Sequence, residues 1–200
     1  MKKLLVFALV AMVAGFAGAQ TLSWMGDSYI YNVENDEWYR ASGPENAGWT
    51  NLSTTVFGSM DFGIVSSLTL GGQAQTWEGG SPNTTVTMFW EVFEGADSRA
   101  SGDMNLSWMN NTGGQYGNNS TWENMTGVDV AAGLASGTEY TVAVWFNAVQ
   151  DGTTTVWDSN GGDNYVASFE TAAAPVPEPA TMSLLGLGAL AMVLRRKMSK

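Results

Sequence analysis

The stretch TTVTMFWEVFE, Thr84 to Glu94, decides the fold. Drawn as an extended chain, it sets Val86, Met88, Trp90 and Val92 on one face and Thr87, Phe89, Glu91 and Phe93 on the other. A period of two is the period of a pleated strand, and no helical face would collect those four apolar residues. A second stretch, EYTVAVWFNAV from Glu139 to Val149, repeats the pattern. There Tyr140, Val142, Val144 and Phe146 point one way, and Thr141, Ala143, Trp145 and Asn147 point the other.

Working outward, shorter runs with the same β-branched and aromatic bias are SYIYNV (28–33), TTVFG (54–58), IVSSLTL (64–70), TTTVW (153–157) and YVASFE (165–170). Asp151-Gly152 is a favoured two-residue hairpin turn between Glu139–Val149 and TTTVW. The paired glycines of DSNGGDN, residues 158–164, suit a further reversal before YVASFE. No stretch between 21 and 171 sustains a helical period, so the expected class is all-β, an Ig-like β-sandwich. An N-terminal signal helix and a short C-terminal hydrophobic helix are expected to flank it.

The segment Leu134-Ala135-Ser136-Gly137-Thr138-Glu139-Tyr140-Thr141-Val142 resembles the L-x-x-G-T-x-Y-x-V stretch of fibronectin type III and related Ig-like sandwiches. That resemblance implies a structural corner role for Tyr140, its hydroxyl bonding to backbone just upstream. It implies nothing about function.

Composition narrows the chemistry. The chain has no cysteine and no histidine, and its lysines lie only at the two ends. Ser-His-Asp and Cys-His nucleophiles, zinc sites built on His or Cys, and Schiff-base lysines are therefore excluded from the central segment. Without disulfides, about 155 residues must be held by burial alone. The formal net charge is -11, and between the two ends only Arg40 and Arg99 oppose nearly all of the nineteen acids. Such a surface cannot neutralise phosphates, so neither nucleic acid nor anionic lipid headgroups are expected partners. No cofactor is expected.

Nine tryptophans, all between the ends, exceed what one small core consumes. Trp90 alternates with Val86, Met88 and Val92 and reads as core, whereas Trp145 sits on the opposite strand face beside Asn147. An aromatic ring beside amides and carboxylates is the chemistry of sugar recognition: the ring covers the C–H face of a pyranose and the polar groups bond its hydroxyls. VWDSNGGDNYVASF, Val156 to Phe169, resembles the closing W-D-N-N-x-G-x-N-Y segment of starch-type carbohydrate-binding modules, with Ser159 in place of an Asn and one additional glycine. Together with GGQAQTWEGG (71–80) and TMFWEVFEG, it also resembles a secreted β-sandwich module of bacterial surface proteins. These likenesses, with the strand-face argument, nominate Trp145, Trp157, Asp158, Asn160, Asn164 and Tyr165 as glycan-binding residues.

Other readings compete. Asp158, Asn160, Asp163 and Asn164 could offer hard oxygens to Ca²⁺, but they lack the spacing of a calcium loop and are the ordinary residues of tight turns, so no metal site is assigned. Glu78, Glu91, Glu94, Asp97 and Asp103 supply carboxylates, and a small glycan-active hydrolase is the alternative to a non-catalytic role. No pair stands out among them. Asn-x-Ser/Thr triplets begin at Asn51, Asn83, Asn105, Asn110, Asn118, Asn119 and Asn124, as an Asn/Thr/Ser-rich chain produces without selection for glycosylation.

The ends carry addresses. Lys2 and Lys3, the apolar run Leu4 to Phe16 and Ala17-Gly18-Ala19 have the three parts of a secretory signal peptide, residues 1–19, with Gln20 the expected mature start. A sandwich ectodomain, 20–171, leads to a Pro-rich linker, 172–179, and then to a hydrophobic helix with a basic tail, 180–200. From Ala180 the apolar run holds about 15 residues, about 22 Å as helix, where a span needs about 20 residues. Gly186 and Gly188 weaken it further.

The order Pro177-Glu178-Pro179, short apolar helix, Arg195-Arg196-Lys197 resembles the PEP-CTERM sorting signal of Gram-negative bacteria. The resemblance implies an exosortase-type membrane enzyme that reads Pro177, Glu178 and Pro179, with Arg195 and Arg196 holding the end on the cytoplasmic side. The helix would then touch the membrane only transiently, as in a removable anchor signal. An ordinary short C-terminal anchor is the other reading. The expected product is a protein of the cell surface or extracellular matrix, associated with polysaccharide.

Overall fold

The computed structural model describes residues 22, 24–41, 53, 55–77, 83–111 and 119–175. Ten strands account for most of them: β1 (Trp24–Asn32), β2 (Glu37–Arg40), β3 (Asp61–Val65), β4 (Thr69–Trp77), β5 (Thr84–Glu94), β6 (Asp97–Asn111), β7 (Asn119–Asp129), β8 (Glu139–Gln150), β9 (Thr154–Asp158) and β10 (Tyr165–Thr171). The hydrogen-bonded order is β2-β1-β4-β7-β6-β5-β8-β10-β3, with β9 also on β8. The sheet is continuous and curls back on itself into two leaves.

The fold turns at β6. Its first part pairs with β5 from Asp97 to Leu106, and its last part pairs with β7 from Ser107 to Asn111. A strand shared by two leaves makes the corner of a sandwich without breaking the ladder. The bulge at Met109, where the β6–β7 register shifts, belongs to that bend. The leaves then face each other across Val86, Met88, Val92, Val142, Val144 and Phe146 on one side and Ile30, Leu70 and Ala74 on the other, all buried. Each such large side chain contributes about 1.5–3 kcal/mol by leaving water.

Close approach requires glycine at Gly72. A Cβ there would lie 2.7 Å from the Met88 sulfur and 3.1 Å from Phe146 Cε1, both on the facing leaf. At Gly102, opposite Trp90 in register, the indole covers the missing side chain, and a Cβ would meet it at 2.8 Å.

Away from β6, side chains close the sandwich. Tyr39 of β2, Phe57 of a short 3-10 turn (Phe57–Ser59) and Phe62 of β3 form an aromatic trio with centroids 5.5 to 6.5 Å apart. Burial, and then the hydrogen bond to Glu37, push the Tyr39 phenol up to about 12, so it stays neutral there. A bulge in β1 holds Asp27 at φ 45°, within electrostatic reach of Arg40 and of Asp158 of β9. Burial raises the Asp27 carboxyl from its ordinary 3.8, Arg40 pulls it back, and the negative Asp158 adds to the rise.

Tyr140 is the corner residue that its sequence context implies. It is buried, and its hydroxyl accepts the Ala135 N–H at 3.1 Å. Thr171 Oγ1, at the end of β10, donates to the Ala135 carbonyl at 2.6 Å and ties the same corner down. A hairpin joins β8 and β9 as expected, with Asp151 and Gly152 at φ 51° and 67°, but Gln150 pairs with Thr154, so the loop also takes in Thr153 and is not the two-residue turn expected.

Three further sequence expectations are revised. The run 64–70 is not one strand: β3 ends at Val65 and β4 begins at Thr69, with the buried Leu68 N–H held by Asp129 Oδ1. The run 54–58 contributes only a bridge from Val56 to Arg40 before the 3-10 turn. Nor does DSNGGDN reverse the chain. β9 and β10 both run antiparallel to β8, β9 against Phe146–Gln150 and β10 against Glu139–Val144, so the segment is an excursion between two collinear strands. Asn160, Gly161, Gly162 and Asn164 all take positive φ, and Asn and Gly reach that region at little cost. Strands β2, β6 and β7, which the sequence patterns leave unassigned, complete the sheet. The expected signal and C-terminal helices lie outside the described residues, and no described helix is long and apolar enough to cross a membrane.

Two predictions follow from these contacts. Tyr140→Phe leaves the Ala135 N–H without its partner and lowers unfolding free energy by about 1–3 kcal/mol in urea titrations. Asp27→Asn relieves the cost of a charge in a partly buried bulge. An acid whose folded pKa is raised loses stability as pH climbs from its unfolded value through the folded one. The substitution therefore raises the thermal midpoint at neutral pH, and the gain shrinks when both proteins are measured below the ordinary carboxylate range.

Candidate glycan-binding face

The outer face of the second leaf is built by the odd-numbered residues of β5 and β8. Cross-strand register sets Asp103, Phe89 and Trp145 in one row, and Asn105, Thr87, Asn147 and Trp157 in the next. A third row runs from Ser101 through Glu91 and Ala143 to Val166.

Phe89 organises the rings. It lies parallel to Trp145, centroids 5.7 Å apart and planes 9° apart, and it meets Trp157 at 6.0 Å and 35°. Directly opposed strand residues come close enough for such stacking, and an offset pair adds stability beyond its area. Trp145 and Phe89 are half-buried, while Trp157 is 55% exposed. The result is an aromatic shelf on a rigid sheet, with its outermost indole open to solvent.

Polar groups border the shelf. Thr87 Oγ1 donates to Asn105 Oδ1 at 3.2 Å. Asn147 lies in register between Thr87 and Trp157, is 8% exposed, and its Oδ1 has no hydrogen-bond partner. A buried carbonyl oxygen without a donor costs about 1–3 kcal/mol. Asp103 and Glu91 flank Phe89 on the same face, and neither is held by a cation among the described residues. Arg99 is engaged elsewhere, by Glu94 at 2.9 Å and Asp97 at 3.4 Å in the β5–β6 turn.

The sequence-nominated residues divide into two groups. Trp145 and Trp157 come together on the shelf. Asp158 and Tyr165 stitch β9 to β10: the Tyr165 hydroxyl donates to the Asp158 carboxylate, and its ring belongs to the core. Asn160 donates from Nδ2 to the Asn164 carbonyl at 3.3 Å and shapes the excursion. Asn160, Asn164 and Tyr165 also line a shallow cavity of about 330 Å³ with Ala41 and Val56, in which no shelf residue takes part.

Sequence reasoning did not nominate Phe89 or Asn147 as site residues. The period-two pattern already places Phe89 on the face opposite Trp90. What was missing was the β5–β8 register that sets it against Trp145. Among the other tryptophans, Trp90 and Trp122 are buried, the latter donating from Nε1 to Thr76 Oγ1 at 2.9 Å.

The sorting residues Pro177, Glu178, Pro179, Arg195 and Arg196 lie outside the described residues. Their sequence is nevertheless specific. No curated protein matches the chain. Residues 175–197 match the PEP-CTERM protein-sorting motif, which implies export through the cell envelope and processing by an exosortase-type enzyme; the chain is thus an exported β-sandwich protein bearing a PEP-CTERM sorting signal.

Proposed function

We propose that this protein is a non-catalytic component of the cell surface or extracellular matrix, and that its sandwich binds polysaccharide on the Phe89–Trp145–Trp157 shelf. One observation carries the reading: an indole more than half exposed extends a stacked aromatic pair on the outer face of a sheet. A large aromatic on a soluble surface loses free energy unless something covers it, and the C–H face of a pyranose is a matching cover. The sheet holds the rings in place beforehand, so little side-chain entropy is lost on binding.

A non-catalytic role accords with the acids. Glu94 and Asp97 are engaged by Arg99, and Glu91 and Asp103 stand on an open face rather than across a cleft. A hydrolase needs two carboxyls placed on either side of the scissile bond. The sorting motif supports export through the cell envelope, which is where a surface polysaccharide would be met.

The test is affinity electrophoresis of the full chain in gels containing soluble neutral glucans or the polymer of its own matrix. Retardation is expected, and Trp157→Ala should weaken it about tenfold, the equivalent of about 1.4 kcal/mol, with an unchanged melting temperature. No retardation in any polymer overturns the reading, as does retardation that Trp157→Ala leaves intact. New reducing ends released from any of these polymers would make it an enzyme.

A further inference from the structure

We propose that the shelf selects an amino sugar, a polymer of hexosamine units with free ammonium groups, over acetylated or uncharged sugars. This rests on the shelf being a glycan site, and it concerns which glycan.

The argument begins with the borders of the shelf. Asp103 is directly opposite Phe89 in the β5–β6 ladder, and Glu91 is the next residue of β5 on that face. Neither carboxylate has a cation of its own among the described residues, because Arg99 is committed to Glu94 and Asp97, and Arg40 stands beside Asp27 in the other leaf. Two uncompensated carboxylates beside stacked aromatic rings make a region of negative potential, and the faces of the indoles add to it. A neutral sugar would use the rings and leave the charge unmatched. An anionic sugar would be repelled.

An ammonium at the 2-position of a pyranose answers both features. One sugar ring lies on Trp157 of β9 and the following units cross Phe89 towards β6, where a charged nitrogen donates to Asp103; a charge-assisted bond of that kind is about twice as strong as a neutral one. Asn147 adds an independent sign. Its Oδ1 is buried without a donor, in register between Thr87 and Trp157 on the same face. That oxygen is closed off from solvent, so a ligand donor meets it only as the Asn147 amide turns outward; doing so removes a standing cost and favours a ligand rich in donors. An ammonium carries three.

Bulk charge must be separated from the site. The segment between the two ends is strongly acidic, so any polycation would associate with it weakly. Glu139 provides the control: it is exposed, lies on the same face of β8 and is six residues from Trp145, about 20 Å along the strand.

The experiment compares three soluble tetramers with the same β-1,4 ring geometry, of glucosamine, N-acetylglucosamine and glucose, titrated calorimetrically into the full chain at a pH where the amine is protonated. Glucosamine tetramer should bind at least about fivefold tighter than the other two. Asp103→Asn should remove most of that advantage, Glu139→Gln should leave it, and Trp157→Ala should weaken all three. If the acetylated or glucose tetramer binds as tightly while Trp157→Ala still weakens binding, the amine preference is overturned and the shelf reading stands. If Asp103→Asn and Glu139→Gln act alike, the preference is bulk charge and the proposal fails. No binding of any tetramer overturns the amine preference and leaves the shelf reading to the polymer gels, whereas binding indifferent to Trp157→Ala overturns the proposal and the shelf reading together.

Discussion

The ladder of β6 is the constraint on which the rest depends. Because one strand pairs with β5 through Leu106 and with β7 from Ser107, the two leaves form a single hydrogen-bonded sheet bent double. A chain without cysteine must bring its two apolar faces together by burial and backbone bonds, and a shared strand fixes their distance and angle without a staple. The glycine at Gly72 follows from that distance, since Met88 and Phe146 of the facing leaf occupy the space a side chain would take. So does the trio of Tyr39, Phe57 and Phe62, which closes the side that β6 leaves open.

The same bend sets the outer face apart. With Val86, Met88, Val92, Val142 and Val144 pointed into the core, every second residue of β5 and β8 must point out. Thr87, Phe89, Asn147 and Trp145 are outward because their neighbours are inward. Strand pairing then decides which outward residues touch. The shelf is thus a by-product of core packing that the chain fills with rings, amides and acids. Its rigidity comes from β8, which is bonded along one edge to β5 and along the other to β9 and β10.

How much of this was readable beforehand depends on the range of the interaction. The faces of β5 and β8, the Asp151-Gly152 hairpin and the Tyr140 corner are local or nearly so, and each is visible as a period or a motif. β6 is not: its sequence, DSRASGDMNLSWMNN, has neither a clear alternation nor an apolar run, and it becomes a strand because β5 and β7 offer it edges. DSNGGDN reads as a reversal because Asn and Gly favour positive φ; whether the chain then turns back or resumes its course along β8 is decided by where Tyr165 is anchored in the core. The nominated set Trp145, Trp157, Asp158, Asn160, Asn164 and Tyr165 followed sequence proximity. Spatial proximity joins the first two through Phe89 instead. The sorting motif was legible throughout, since an exosortase-type signal is read as linear sequence and needs no fold.

An address and a surface together describe the protein. The motif at 175–197 states the route, and the sandwich carries an aromatic shelf to its end. The most direct measurement is a two-dimensional NMR titration of the indole N–H signals of the full chain with matrix polysaccharide fragments. The account predicts that the signals of Trp145 and Trp157 shift in step with ligand, while those of the buried Trp90 and Trp122 stay in place. Shifts confined to other tryptophans, or none at saturating fragment, would contradict it.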